Sequence, residues 1–215
     1  TFHDTAAALL SLVDRSAINA RLAGRRITQT KRFADIRTAI AAENTSEVLT
    51  PDAAVLAVQD ALPDNTLLAN DSAATFGKVQ ELLMTKPGKY FFARGGVLGC
   101  NMPAAVGAAL LHDGPVVSFV GDGGAMYSPQ ALWSAARYHT QVIFIVFNNR
   151  RYGVLQNIAK QMGCTNAAAG KFVGMDIVDP AIDFQALAKS MGVPSVHAGT
   201  IAAIRAAVTD ALTRQ

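Results

Sequence analysis

From residue 49 onward, apolar residues gather in short blocks separated by polar or glycine-rich turns. Two blocks are nearly unbroken. Pro115–Val120 (PVVSFV) and Val142–Phe147 (VIFIVF) have the composition of strands buried on both faces of a sheet. Thr66–Ala69 (TLLA) predicts a shorter strand ending at Asn70-Asp71-Ser72. Tyr90-Phe91-Phe92 predicts another brief strand, and a weak one falls near Ser195-Val196. Helical segments lie between them. Thr50 caps one with Pro51 in its first turn, and another runs from Ser72 to about Met84. Asn101 is placed to cap a small-residue helix reaching Leu111, and Ser128-Pro129 opens one through Tyr138. Two more cover Asp183–Met191 and Ile201–Leu212. Strands alternating with helices predict a three-layer α/β/α architecture with a mostly parallel sheet. The alternation stops on a helix at Gln215, so the domain 49–215 is expected to lack a final strand.

The first 48 residues read differently. Thr5–Val13 predicts a short amphipathic helix with Asp4 at its cap. Between Arg21 and Arg37 lie six basic residues and one acid, Asp35, with weak hydrophobic periodicity. That pattern predicts a solvated linker over 14–48. The chain has 215 residues, 51% hydrophobic and 16% charged, which suits a globular core and excludes a disordered tail. A net charge of +3, with Phe33 the sole aromatic in the basic stretch, gives no nucleic-acid footprint. Met102–Leu111 is far shorter than the roughly 20 apolar residues of a membrane span. The N-terminus has no basic leader before its apolar run. Cys100 and Cys164 have neither metal-ligand spacing nor a disulfide framework. A cytoplasmic protein acting on neither membrane nor nucleic acid is expected.

The chemistry concentrates after the two strongest strands. The first runs into Gly121-Asp122-Gly123-Gly124, the second into Asn148-Asn149-Arg150-Arg151-Tyr152-Gly153. One helix lies between, so both strands end on the same edge of the sheet through a right-handed crossover. As neighbours they would lie about 4.8 Å apart, with Asp122 and Asn149 facing one crevice, on the edge where open α/β sheets bind ligands. A carboxylate and an amide oxygen are hard ligands that suit Mg2+, which shares its shell with phosphate and water. The glycines beside Asp122 let backbone N–H groups approach phosphate oxygens. The helix starting near Ser128 adds the positive end of its dipole. Either turn alone is commonly structural; their pairing points to a magnesium-bound diphosphate. A dinucleotide-binding loop fits less well, because Met126 stands where its third glycine belongs.

GDGG…NNRRYG resembles the thiamine-diphosphate motif. With PGKYFFARGGVLGCNMPAAVG, GDGGAMYSPQALWSAARY and VFNNRRYGVLQ, the stretch from about Leu49 to Leu212 resembles the C-terminal cofactor domain of the benzoylformate decarboxylase and acetolactate synthase superfamily. The resemblance implies that Asp122, the Asn149 side chain and the Arg151 carbonyl bind magnesium. It puts Gly121, Gly123, Gly124, Tyr152, Gly153 and Val154 along the diphosphate. Leu98 matches the apolar wedge that bends the cofactor; Gly96 would offer its carbonyl to the exocyclic amine, with Val97 between them. Leu155 and Ile158, on one face of the following helix, would border the substrate. Only Ser72 and Thr75 supply hydroxyls near Ala73 and Ala74, where relatives often carry them for the diphosphate. Acetolactate synthases usually have methionine at the wedge, so Leu98 favours a 2-oxo acid decarboxylase over a carboligase.

In that superfamily the activating glutamate sits on a separate N-terminal pyrimidine-binding domain, of the same or a partner chain. No stretch here resembles it, and Glu43, Glu47 and Glu81 lie outside any matching context, so no catalytic residue is assigned. Residues 1–13 resemble the last helix of the superfamily's central domain. The expectation is therefore a fragment of a longer homo-oligomeric enzyme, dimer or tetramer, inactive alone; a non-catalytic cofactor-binding subunit is the alternative. His3, His112, His139 and His197 are scattered without identifiable partners. Trp133 reads as core or interface and Cys100 as a small buried hydrophobe.

Overall fold

The computed structural model describes residues 4–5, 8, 12, 14–43, 49–82, 88–92 and 96–214. Two units form, Thr1–Val48 and Leu49–Gln215. In the first, α1 (Arg15–Glu43) is one regular helix of 29 residues rather than an irregular linker. Its many alanines and arginines favour helix by intrinsic propensity, enough to carry Gly24, and the weak periodicity did not register this. Asp14 accepts from the Ser16 hydroxyl and from the backbone N–H groups of Ala17 and Ser16 at its start, and these bonds hold its carboxyl below the usual range. Most of the expected helix over Thr5–Val13 lies outside the described residues; Asp4, Thr5 and Ala8 are helical.

In the second unit, β1 (Leu67–Asp71), β2 (Tyr90–Phe91), β3 (Val116–Gly121) and β4 (Val142–Phe147) form one parallel sheet in the order β2-β1-β3-β4. The chain leaves β1 toward one side and β3 toward the other, so the strand order switches between β1 and β3. The register carries Asp71 opposite Val120, and Gly121 opposite Phe147. The C-terminal tips of β1, β3 and β4 thus share one edge.

Helices cover this sheet. α2 (Pro51–Ala61) is capped by Thr50, whose Oγ1 accepts from Ala53 N–H at 3.3 Å, as the sequence predicts. α3 (Phe76–Leu82) follows β1, and α4 (Asn101–Ala109) precedes β3. A single turn, α5 (Asp122–Ala125), and then α6 (Gln130–Arg137) join β3 to β4. α7 (Gly153–Gln161), α8 (Thr165–Ala168), α9 (Phe184–Ser190) and α10 (Ile201–Thr213) complete the unit. Met102 and Val106 of α4 pack with Ala131, Leu132 and Ala135 of α6, Ala188 of α9 and Val120 of β3. Phe119, on the other face of β3, stacks on Phe147 with centroids 6.0 Å apart. Arg205 of α10 pairs with Asp60 of α2 at 2.7 Å, and Lys78 of α3 with Asp52 at 2.9 Å. The Ser118 hydroxyl, fully buried in β3, has no hydrogen-bond partner among the described residues. A group left so costs about 1–3 kcal/mol.

Several expectations are corrected. β4 is half-buried along its whole length, not buried on both faces, because among the described residues it is the sheet's edge strand. Ser195-Val196 is not a strand; Val196 is exposed. Asn101 does not cap α4. It lies inside the helix, 2% exposed, and its side-chain amide donates to the Asn70 carbonyl. The helix expected near Ser128 begins at Gln130, since the Ser128 hydroxyl turns away to Gly99. Of the two readings of Trp133, its exposure excludes core and not interface, and Cys100 is only half-buried. Met84 and Pro87 lie outside the described residues.

Candidate functional site

Three segments leave the shared edge: residues 72–75 after β1, the single turn α5 after β3 and residues 148–152 after β4. Asp122 links the last two. Its side chain is buried, and its Oδ1 accepts from the Gly123 N–H at 2.8 Å while Oδ2 accepts from the Arg150 N–H at 2.5 Å. Arg150 adopts a left-handed backbone (φ 58°) directly after that N–H. Asn149, the residue before it, accepts from Arg151 N–H through Oδ1 at 3.1 Å. The carboxylate and the amide expected to meet therefore stand on adjacent strand tips.

The glycines are needed for close approach. A Cβ on Gly123 would lie 2.6 Å from the Tyr152 ring, and one on Gly153 would lie 3.0 Å from Asn149 Nδ2. The floor at Gly124 is less tight, with Val120 Cγ2 at 3.3 Å from such a Cβ. One cleft is lined by Ser72, Leu98, Asp122, Asn149, Tyr152 and Val154. Gly96 (φ 71°) and Val97 are exposed at its approach, and Leu98 is half-buried. Leu155 and Ile158 are both about half exposed on α7.

A magnesium-bound diphosphate fits this donor set. Each Asp122 oxygen uses one acceptor position and keeps another. The Arg151 carbonyl accepts once, from Gly153 N–H at 2.9 Å, and retains a lone pair. Among the described residues no group of three His, Cys, Asp or Glu could hold a metal. A cation here would have one protein carboxylate, so much of its ligation would come from neutral oxygens and from an anionic ligand such as phosphate.

Three features escaped the sequence reading. The stretch Met175–Ile177 pairs with the loop after β4: Tyr152 N–H donates to Met175 O and Ile177 N–H to Arg150 O, both at 2.8 Å. Buried Gln156 anchors it, donating to Asp176 Oδ1 at 3.1 Å. The signal was a lone glutamine four residues after Tyr152 on an otherwise apolar helix start. The third feature is a buried polar cluster at the tip of β1. Asn70 Nδ2 donates to the Tyr90 hydroxyl at 2.9 Å, and Asn70 Oδ1 accepts from the Ser72 N–H and hydroxyl. Asp71 Oδ2 accepts from Gly99 N–H at 2.7 Å. Burial raises the Asp71 carboxyl above the usual carboxylate range, opposed by the N–H groups of Gly99 and Asn101. Burial likewise raises the Tyr90 hydroxyl, against the Asn70 bond. The hint was three polar residues directly after an apolar strand. Elsewhere His112 Nε2 lies 2.8 Å from the Asn65 carbonyl, a structural contact.

A parallel sheet whose switch point gathers a carboxylate, an amide and glycine-rich turns on one edge has the form of an α/β phosphate-cofactor domain. The chain belongs to the thiamine pyrophosphate enzyme family, C-terminal TPP binding domain, which matches residues 74–215. It is 38% identical over 161 residues to a benzoylformate decarboxylase of Pseudomonas aeruginosa, covering 74% of this chain and 29% of that protein. It is 29% identical over 147 residues to an acetolactate synthase large subunit of Parasynechococcus marenigrum, covering 68% and 23%. Among solved structures, the thiamine diphosphate-dependent 4-hydroxybenzoylformate decarboxylase of Rhodococcus jostii RHA1 matches with a TM-score of 0.71 and 34% identity, covering 79% of this chain and 31% of that one. The chain thus spans about a third or less of the proteins it matches. Among the described residues no helix is long and apolar enough to cross a membrane.

Proposed function

We propose that this chain is the cofactor-binding part of a magnesium-dependent decarboxylase acting on an aryl-substituted 2-oxo acid of the benzoylformate type. The observation that carries the reading is the Asp122 carboxylate, which joins the tips of β3 and β4 at the switch-point edge within the family-matched region. Asp122, Asn149 Oδ1 and the Arg151 carbonyl would hold Mg2+. Gly123, Gly124, Gly153 and Val154 would line the diphosphate, with Gly121 and Tyr152 shaping its berth. Leu98 would hold the two rings at an angle, and the Gly96 carbonyl would accept from the exocyclic amine, with Val97 alongside. Once bound, thiamine diphosphate supplies an acidic ring C–H and an electron sink for the carboxylate's departure. Leu155, which lines the cleft, and Ile158, three residues on along α7, would give that side an apolar wall, suited to an aromatic substituent and to excluding water.

The activating carboxylate would come from a pyrimidine-binding domain, of the same or a partner chain, in a cytoplasmic homo-oligomer. The likeness to an acetolactate synthase large subunit supports a second reading as a carboligase. Leu98, where methionine is usual in those enzymes, favours the first.

Calorimetric titration with thiamine diphosphate should give saturable binding with Mg2+ present and none with excess EDTA; metal-independent binding of equal strength would refute the magnesium site. Supplied with a pyrimidine-binding domain, the chain should release carbon dioxide from benzoylformate faster than from pyruvate. Condensation of two pyruvates as the main reaction would instead establish the carboligase.

A further inference from the structure

Leu98 can wedge a cofactor only if the backbone beneath it is fixed. Gly96 and Val97 are exposed, and Gly96 and Gly99 both adopt left-handed conformations (φ 71° and 86°). Chains with such freedom lose more entropy on ordering than others. Beside the contact of the Cys100 thiol with the Val97 carbonyl at 3.6 Å, the described residues of this loop are held from outside it, at Gly99.

The Gly99 N–H donates to Asp71 Oδ2 at 2.7 Å, and the Gly99 carbonyl accepts from the Ser128 hydroxyl at 2.5 Å. Both polar groups of one residue are thus held, one by the tip of β1 and one by the turn before α6. That N–H belongs to the peptide plane shared with Leu98, so holding it sets the direction in which Leu98 leaves the backbone. The Asn101 N–H also reaches the Asp71 carboxylate, and the Asn101 side chain donates to the Asn70 carbonyl. The start of α4 is therefore tied to the same strand tip. Asp71 is 7% exposed, and its partners among the described residues are backbone N–H groups rather than a cation. A carboxylate in that position is costly unless the bonds it accepts matter.

We propose that Asp71 is a positioning residue: it clamps the Leu98–Gly99 peptide to the tip of β1 and thereby sets where Leu98 stands in the cofactor cleft. The proposal deepens the reading of Leu98 as the wedge and rests on it. Asp71 would act on the ring end of the cofactor alone, leaving the diphosphate end to Asp122.

The test uses the full chain with Mg2+ and two probes, thiamine diphosphate and inorganic pyrophosphate, alongside hydrogen exchange at the Gly99 amide. For Asp71→Ala the expected results are Gly99 exchange faster by about tenfold or more and thiamine diphosphate affinity lower by about tenfold, the loss of one charge-assisted hydrogen bond. Pyrophosphate affinity should not change. Asp71→Asn keeps an acceptor for Gly99 and should restore most of the cofactor affinity. Equal losses for both probes, or unaltered Gly99 exchange, would overturn the proposal. If Asp71→Ala does not fold, Ser128→Ala removes the other grip on Gly99 and should give the same selective loss in milder form; no selectivity there overturns it equally. A wild-type chain that binds pyrophosphate but gains nothing from the rings would sink the wedge and the clamp together. One that binds neither probe would sink the cofactor reading itself.

Discussion

Asp122→Ala should lower the affinity for thiamine diphosphate in the presence of Mg2+ by at least about a hundredfold, since losing even an outer-shell partner of a metal ligand costs about 10–100-fold. Asp122 is the one carboxylate of the proposed ligand set, whose other protein members are a neutral amide and a neutral carbonyl, so its removal takes away the only protein charge opposing the cation. A second effect is separable from the first. The Gly123 and Arg150 N–H groups would lose their acceptor, and the tips of β3 and β4 would lose their tie. Leaving such donors unsatisfied costs about 1–3 kcal/mol. Asp122→Asn distinguishes the two effects: its amide oxygen can still accept one N–H, so the apo chain should melt closer to wild type while cofactor affinity stays low. Calorimetry reads the binding, and thermal melts with and without Mg2+ read the fold. Binding by Asp122→Ala equal to wild type would end the assignment.

The strands were legible because their chemistry is local. Two β-branched runs, each closed by a turn of Gly, Asp or Asn, dictate parallel strands ending on one edge, and the structure has them adjacent with Gly121 opposite Phe147. The meeting of Asp122 with the loop after β4 follows from that topology alone. What could not be read depends on partners distant in sequence. Burial of β4 is decided by which strand lies beside it, not by its own apolar content, and as an edge strand it is half-exposed. Asn101 has the composition of a helix cap, yet its amide finds the Asn70 carbonyl on β1, and tertiary geometry overrides the local preference. α1 was missed for the opposite reason, since a mostly exposed helix carries little hydrophobic periodicity and is written in propensity. Asp71 was visible as a polar residue at a strand end, but only the fold shows that the peptide after Leu98 returns to it.

Gly99→Val should destabilise the chain by about 3 kcal/mol or more and displace the Leu98 loop. Two costs combine. Gly99 sits at φ 86°, where a β-branched residue is strained by about 1–3 kcal/mol. Its Cβ would also run into the Tyr127 Cβ, with the Tyr127 ring at 3.3 Å and its backbone at 3.6 Å, so a rotamer change cannot relieve the overlap. Backbone must move, and the part free to move carries the Gly99 N–H away from Asp71 and its carbonyl away from Ser128. Gly96→Val supplies the control. Gly96 has a similar φ of 71°, but a Cβ there meets nothing within 4 Å, so it should show the strain without the collision. For a chain of this size each kcal/mol shifts Tm by about 2–4 °C. Gly99→Val should therefore melt well below Gly96→Val, with the larger loss of thiamine diphosphate affinity. Equal melting and equal affinity in the two variants would mean that left-handed strain alone matters, and that the loop is not pinned by its approach to Tyr127.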